Sequence, residues 1–133
     1  MKKGKLDLTL NSILKTTKTL KKITVLPFFV FFESFTKARP AILLTMCRKG
    51  QEFHRIPFAV NKYRRARVGV KWVAMSINDR DHYPLKKLDS KINKVLTDIA
   101  VYGRGQVIKK LRVNYGVAHE NRAMTHFRWE HYE

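Results

Sequence analysis

Arg64, Arg65, Arg67 and Lys71 crowd one short stretch, and a second basic group, Arg48-Lys49-Gly50-Gln51 with Arg55, stands just before it. Cations at this density suit phosphate. Arg presents a planar fork that can hold two phosphate oxygens at once, and Lys a compact point charge. More cations follow at Arg104, Lys109, Lys110, Arg112, Arg122 and Arg128, the last adjoining Trp129. An Arg–Trp pair adds a surface on which a base or ribose can stack. A basic run is more often only a solvated helix face, and Lys87, Lys91 and Lys94 are explained well that way. The Arg64–Lys71 group is explained less well, because it follows directly on a basic turn.

Other chemistry finds little support. A phosphate-cradling GxxxxGK[ST] loop is missing, and Gly103-x-Gly105 is too short to replace it. A zinc-binding HExxH helix is missing too: the residue four places after His119 is Ala123. His54, His82, His119, His126 and His131 are scattered, and an RNA-cleaving site built on His119 and His126 is the weakest reading. Cys47 is the one cysteine, which excludes an intramolecular disulfide and a cysteine-based zinc site. It lies in a strand-like run and reads as a small apolar filler. The expectation is therefore no catalytic residue, no metal and no cofactor.

The bulk composition agrees with a polyanionic partner. Among 133 residues, 28 Lys+Arg stand against 10 Asp+Glu, a formal charge of +18. Self-repulsion of that size opposes a compact state unless an anion neutralises it. Nucleic acid is the first candidate and an anionic membrane surface the second. The greasiest run, residues 23–32, is about half of what spans a bilayer, and Pro27 interrupts it. It reads as buried core, so no membrane insertion is expected. The N-terminus has no secretory-signal pattern.

Elements must hold these cations in place. For residues 1–26 the reading is a short helix behind a mobile basic tail, weakened by β-branched Thr16, Thr17, Thr19 and Thr24. Pro27 suits the first turn of a second helix, with Phe28, Phe31, Phe32 and Phe35 as its buried stripe, and Pro40 ends it. The runs 41–47 and 53–60 predict a β-hairpin closed by a polar turn somewhat longer than two residues. A third helix is capped near Asn61 and turns Tyr63, Ala66, Val70, Val73 and Ile77 inward. A fourth opens at Pro84 with Leu85, Leu88, Ile92, Val95, Leu96 and Ile99 inward, and Gly103-Arg104-Gly105 stops it. The last begins near Val107, with Ile108, Leu111, Tyr115 and Ala118 inward. The expected fold is mainly α: a bundle of about five helices with a projecting two-stranded β-hairpin arm, in one domain over 1–133. Within it, 1–25 is a shortened N-terminal segment and 41–60 the arm.

Three blocks together resemble a known family, the bacterial-type small-subunit ribosomal protein seven. The first holds Pro40, Pro57, Val60, Arg64-Arg65 and Lys71-Trp72 in matching spacing. The second is Gly103-Arg104-Gly105 with Ile108-Lys109-Lys110, similar to the family's GKG…VKK. The third is Ala118, Asn121-Arg122-Ala123 and His126-Phe127-Arg128-Trp129. Gln51 stands where the family usually has a second glycine. The resemblance implies a non-enzymatic constituent of the small subunit, bound to the 3′ major domain of small-subunit rRNA in the head. It implies neighbouring small-subunit ribosomal proteins as partners, and an arm near the exit-site tRNA and the mRNA path. A Lys- and Phe-rich composition on a trimmed framework points to an organelle-encoded mitochondrial ribosome, with a bacterial cytoplasm as the alternative. The competing function is a free-standing basic RNA- or DNA-binding module, such as a nucleoid or RNA-processing factor.

Overall fold

The computed structural model describes residues 4–23, 26–79 and 87–131. Among them are five α-helices, α1 (Leu6–Ile23), α2 (Pro27–Ala38), α3 (Lys62–Asn78), α4 (Leu88–Ala100) and α5 (Gln106–Glu120). A hairpin of β1 (Ile42–Lys49) and β2 (Glu52–Ala59) stands between α2 and α3, and a 3₁₀ helix, Arg122–His131, follows α5. The mainly helical fold with one hairpin is as expected; the 3₁₀ segment was not foreseen.

The first helix is longer than the threonines suggested, at 18 residues. The hydroxyls explain it. Thr9, Thr16, Thr17 and Thr19 donate to the carbonyls of Lys5, Ser12, Ile13 and Lys15, each four residues back. That bond satisfies the polar atom inside the helix and offsets part of the β-branched penalty. The basic tail expected before it, Lys2 and Lys3, lies outside the described residues.

Helix α4 is the spine. Its Ile92, Val95, Leu96 and Ile99 form one core with Leu20 of α1, Val30 and Ala38 of α2, Val73 of α3 and Val107 of α5. Pro27 occupies the first turn of α2, and Arg39 before Pro40 is extended at φ −77°, ψ 116°, as the sequence suggested. The buried face of α2 differs from expectation. Pro27, Val30, Ser34 and Ala38 are buried, whereas Phe28, Phe29 and Phe32 are 74%, 62% and 64% exposed. Small residues at 30, 34 and 38 let α2 lie close on α4, where the Ser34 hydroxyl reaches the Leu96 carbonyl at 3.0 Å. Lys37 donates to the Ala100 carbonyl at 2.7 Å and meets Glu33 at 3.2 Å, closing the C-terminal end of α4. Phe31 and Phe35 keep the expected place against the core.

Helix α3 also packs a face rotated from the expected one. Gly69, Val73 and Ser76 are buried, whereas Tyr63 and Val70 are exposed. Gly69 decides this. A Cβ there would stand 3.3 Å from Arg39 Cγ and 3.4 Å from the Ala38 carbonyl, so its absence lets α3 press against the end of α2. Asn61 is the N-cap by position, without a side-chain bond. The described part of α4 starts at Leu88; Pro84 and Leu85 lie outside the described residues. In α5, Val107, Leu111 and Ala118 are buried and Tyr115 is partly exposed.

The hairpin is antiparallel, its register running from Ile42 opposite Ala59 to Lys49 opposite Glu52. The strands thus extend through the polar residues taken for a longer turn, and Gly50-Gln51 alone close it. Gly50 has φ +63°, the positive angle at the first turn position that matches the twist of paired strands. Cys47 is buried in β1.

Candidate nucleic-acid interface

Arg64, Arg67 and Lys71 lie at i, i+3 and i+7 on α3, so they form one stripe, and all three are exposed. The buried Gly69–Val73–Ser76 face turns that stripe outward. The Arg64 guanidinium rests 5.4 Å from the Phe58 ring centre, which ties the start of α3 to the base of the arm. Arg65 is half-buried, and its Nε has no hydrogen-bond partner in the structure.

Helix α5 joins the same surface. Lys110 Nζ stands 5.1 Å from the ring centre of Trp72 on α3, bringing two expected cation groups together. Lys109 and Arg112 are exposed beside it. The cleft between these helices also holds Gln106, Ser76 and Asp79. Arg122 sits elsewhere, in an open cleft of about 410 Å³ between the base of the arm, α5 and the 3₁₀ helix. Its Nη1 lies 3.3 Å from His119 Nε2. Arg104 is already engaged. Its Nε is 3.5 Å from Asp98 Oδ1 and its guanidinium 4.5 Å from the Tyr102 ring centre, so it fastens the turn after α4. The backbone of Arg128 and Trp129 is in the 3₁₀ helix; their side chains lie outside the described residues.

The arm tip is separate from this surface. Strands of eight residues carry it roughly 25 Å from the base. There Arg48 Nε donates to the Gly50 carbonyl at 3.1 Å, with its guanidinium 5.9 Å from the Phe53 ring centre. Gly50, Gln51 and Arg55 are exposed; the side chain of Lys49 lies outside the described residues. The base is pinned by Asn114, which donates to the Ile42 carbonyl at 2.6 Å, and by the Ala41 amide, which donates to the Tyr115 hydroxyl at 2.9 Å.

Sequence reasoning missed Tyr63. It is 79% exposed, one turn before Arg67 on the cationic face, where an aromatic ring can stack on a base. The i, i+4 spacing to Arg67 was the available signal. Among the described residues no three His, Cys, Asp or Glu side chains gather to hold a metal ion, and no helix is long and apolar enough to cross a membrane.

Residues 1–122 match the family described as ribosomal protein S7p/S5e. The chain belongs to this family. The S7 match covers the hairpin, α3 and α5, and stops before Arg128 and Trp129. Over 128 residues the chain is 27% identical to small ribosomal subunit protein uS7 of Onion yellows phytoplasma (strain OY-M), covering 96% of this chain and 78% of that protein. It is 30% identical to uS7 of Rhodopseudomonas palustris (strain BisB18) over 103 residues, 77% of this chain and 64% of that one. It is 32% identical to the mitochondrial form, uS7m, of Mus musculus over 104 residues, 77% of this chain and 42% of that one. The resemblance drawn from the three sequence blocks is thus borne out for the family. Membership supports a structural role in the small ribosomal subunit, in company with rRNA and other ribosomal proteins.

Proposed function

We propose that the protein is a structural constituent of the small ribosomal subunit, a single RNA-binding domain that grips the 3′ major domain of small-subunit rRNA in the head. The observation that carries this is the exposed stripe of Arg64, Arg67 and Lys71, extended onto α5 where Lys110 meets Trp72. Lys109, Arg112 and Arg65 widen that grip, and Tyr63 supplies a stacking ring. Arg122, in its own cleft, holds a second strand of RNA beside the arm, with Arg128 and Trp129 following it in sequence. Arg104 contributes by fixing the turn that starts α5. The tip residues Arg48, Lys49, Gly50 and Gln51, with Arg55, reach toward the exit-site tRNA and the mRNA path. A mitochondrial ribosome is the proposed location, supported by the similarity to mouse uS7m and the Lys- and Phe-rich composition.

A salt titration of binding to 3′-domain RNA tests the reading. Each phosphate neutralised steepens the fall of log K with log salt by about 0.7–0.9. Six or more contacts therefore predict nanomolar binding at low salt and a slope of about −5. Micromolar binding with a shallow slope would sink the proposal, as would a protein that sediments apart from small subunits on a sucrose gradient.

A further inference from the structure

The cleft under the arm combines surfaces that the cationic stripe on α3 lacks. Pro57 and Ala59 at the root of the hairpin and Ala118 of α5 give it apolar walls, and Phe58 adds an aromatic one. At about 410 Å³ it falls within the roughly 300–1,000 Å³ of small-ligand clefts. Polar atoms stand among those walls. The Tyr115 hydroxyl accepts the Ala41 amide at 2.9 Å, so its own proton remains to be donated. The Thr125 hydroxyl donates to the Arg122 carbonyl, so its lone pairs remain to accept. A hydrogen-bond donor and an acceptor thus line one cleft. His119 Nε2 lies 3.3 Å from Arg122 Nη1, and a guanidinium has no lone pair, so Nε2 is the acceptor and the imidazole there is neutral. Arg122 therefore keeps its full charge: among the described residues no carboxylate pairs with it.

We infer that this cleft takes one unstacked nucleobase of the small-subunit rRNA, with its faces against Pro57, Phe58 and Ala118, its edge on Tyr115 and Thr125, and a phosphate of the same strand on Arg122. The inference deepens the ribosomal reading above and rests on it. The mixture of surfaces selects the occupant. A phosphate alone would satisfy Arg122 and leave the apolar walls wet. An apolar side chain of a protein would cover the walls and leave the hydroxyls and the charge without partners. A splayed-out base supplies an apolar face, a hydrogen-bonding edge and an anion on its own backbone. The position of the cleft agrees. Phe58 also carries the Arg64 guanidinium at 5.4 Å, so the first cation of the α3 stripe adjoins the cleft and a strand held on that stripe arrives beside it. An acidic peptide in the cleft would have to displace RNA from the same neighbourhood.

Short-wave ultraviolet irradiation of the full chain bound to 3′-domain RNA, followed by mass spectrometry, reads contact at zero length. Expected is a single nucleotide joined to the peptide that holds Phe58 or Tyr115. RNA cross-links confined to other peptides would overturn the inference, as would a peptide of another small-subunit protein joined at Phe58 in assembled subunits. Ala59 is exposed at the rim, and Ala59→Trp fills the cleft from there. It should weaken RNA binding about tenfold, the scale of one lost stacked base. The salt slope should stay as it was, because no phosphate contact is removed, whereas Arg122→Ala should flatten it by about one. Binding by Ala59→Trp within twofold of the parent, or a slope that falls with it, would overturn the inference. Thr125→Val removes the acceptor without adding bulk and carries the same expectation at about threefold, so a folding defect in the tryptophan variant leaves the test intact. Failure of the unaltered chain to bind 3′-domain RNA removes the ribosomal reading and this inference together; binding with no base at Phe58 or Tyr115 removes this inference alone.

Discussion

The side of the molecule formed by α1 and α2 and the side formed by α3 and α5 are built on the same spine but finished in opposite ways. On α1 and α2 the outward residues include Leu10, Leu14, Phe28, Phe29 and Phe32. On α3 and α5 they include Arg64, Arg67, Lys71, Lys109 and Arg112. Both sides read from sequence as helices, and both carry apolar residues at helical spacing. What separates them is which residues α4 claims. It takes Val30, Ser34 and Ala38 from α2 and leaves Phe28, Phe29 and Phe32 outside, whereas from α3 it takes Val73 and leaves Arg64, Arg67 and Lys71 facing out beside Tyr63, Val70 and Met75. The lesson is that the surface chemistry of each side was settled by small residues at the contacts.

The largest effect should come from the shared spine. Leu96→Ala, 1% exposed in the core, is expected to lose about 3–4 kcal/mol in urea unfolding and to degrade both sides together. A loss confined to RNA binding would mean that the two sides are independent. Next, Arg64→Ala/Arg67→Ala/Lys71→Ala should weaken RNA binding about a hundredfold, about 2.7 kcal/mol, and flatten the salt slope by about 2–3. If the slope is unchanged, the phosphate grip lies elsewhere. Gly69→Leu should cost about 2 kcal/mol of stability, because Arg39 and the Ala38 carbonyl already crowd that position; calorimetry would detect it. Smallest of all, Phe29→Gln/Phe32→Gln should shift the stability of the isolated protein by no more than about 0.5 kcal/mol. A loss of several kcal/mol would show that the rings are core after all.

Local grammar was legible in the residues. Pro27 and Pro40 bounded α2, the positive-φ glycine marked the hairpin turn, and the amphipathic run Ile92, Val95, Leu96, Ile99 announced the spine. Each depends on neighbours in sequence. The Phe stripe misled because spacing shows that a helix has a face, while depth of burial depends on a helix sixty residues away. The same limit applied to α3, where Tyr63 and Val70 fitted the inward period but Gly69 supplied the close contact. In the interface, the cations of α3 were readable from crowding alone. That Arg104 is held by Asp98, and that Arg122 sits apart in a cleft under the arm, depended on the fold.

The way the arm is fastened has a mechanical consequence. Asn114 and Tyr115 hold β1 at Ile42 and Ala41, next to its root, and the strands beyond run out to the tip. Such a ribbon is a lever whose root is held between α5 and the 3₁₀ helix. A tilt of about 10° at the root would swing the tip by roughly 4 Å over its length. A load on the tip would thereby be geared down into a small strain on the helix that also carries Lys109, Lys110 and Arg112.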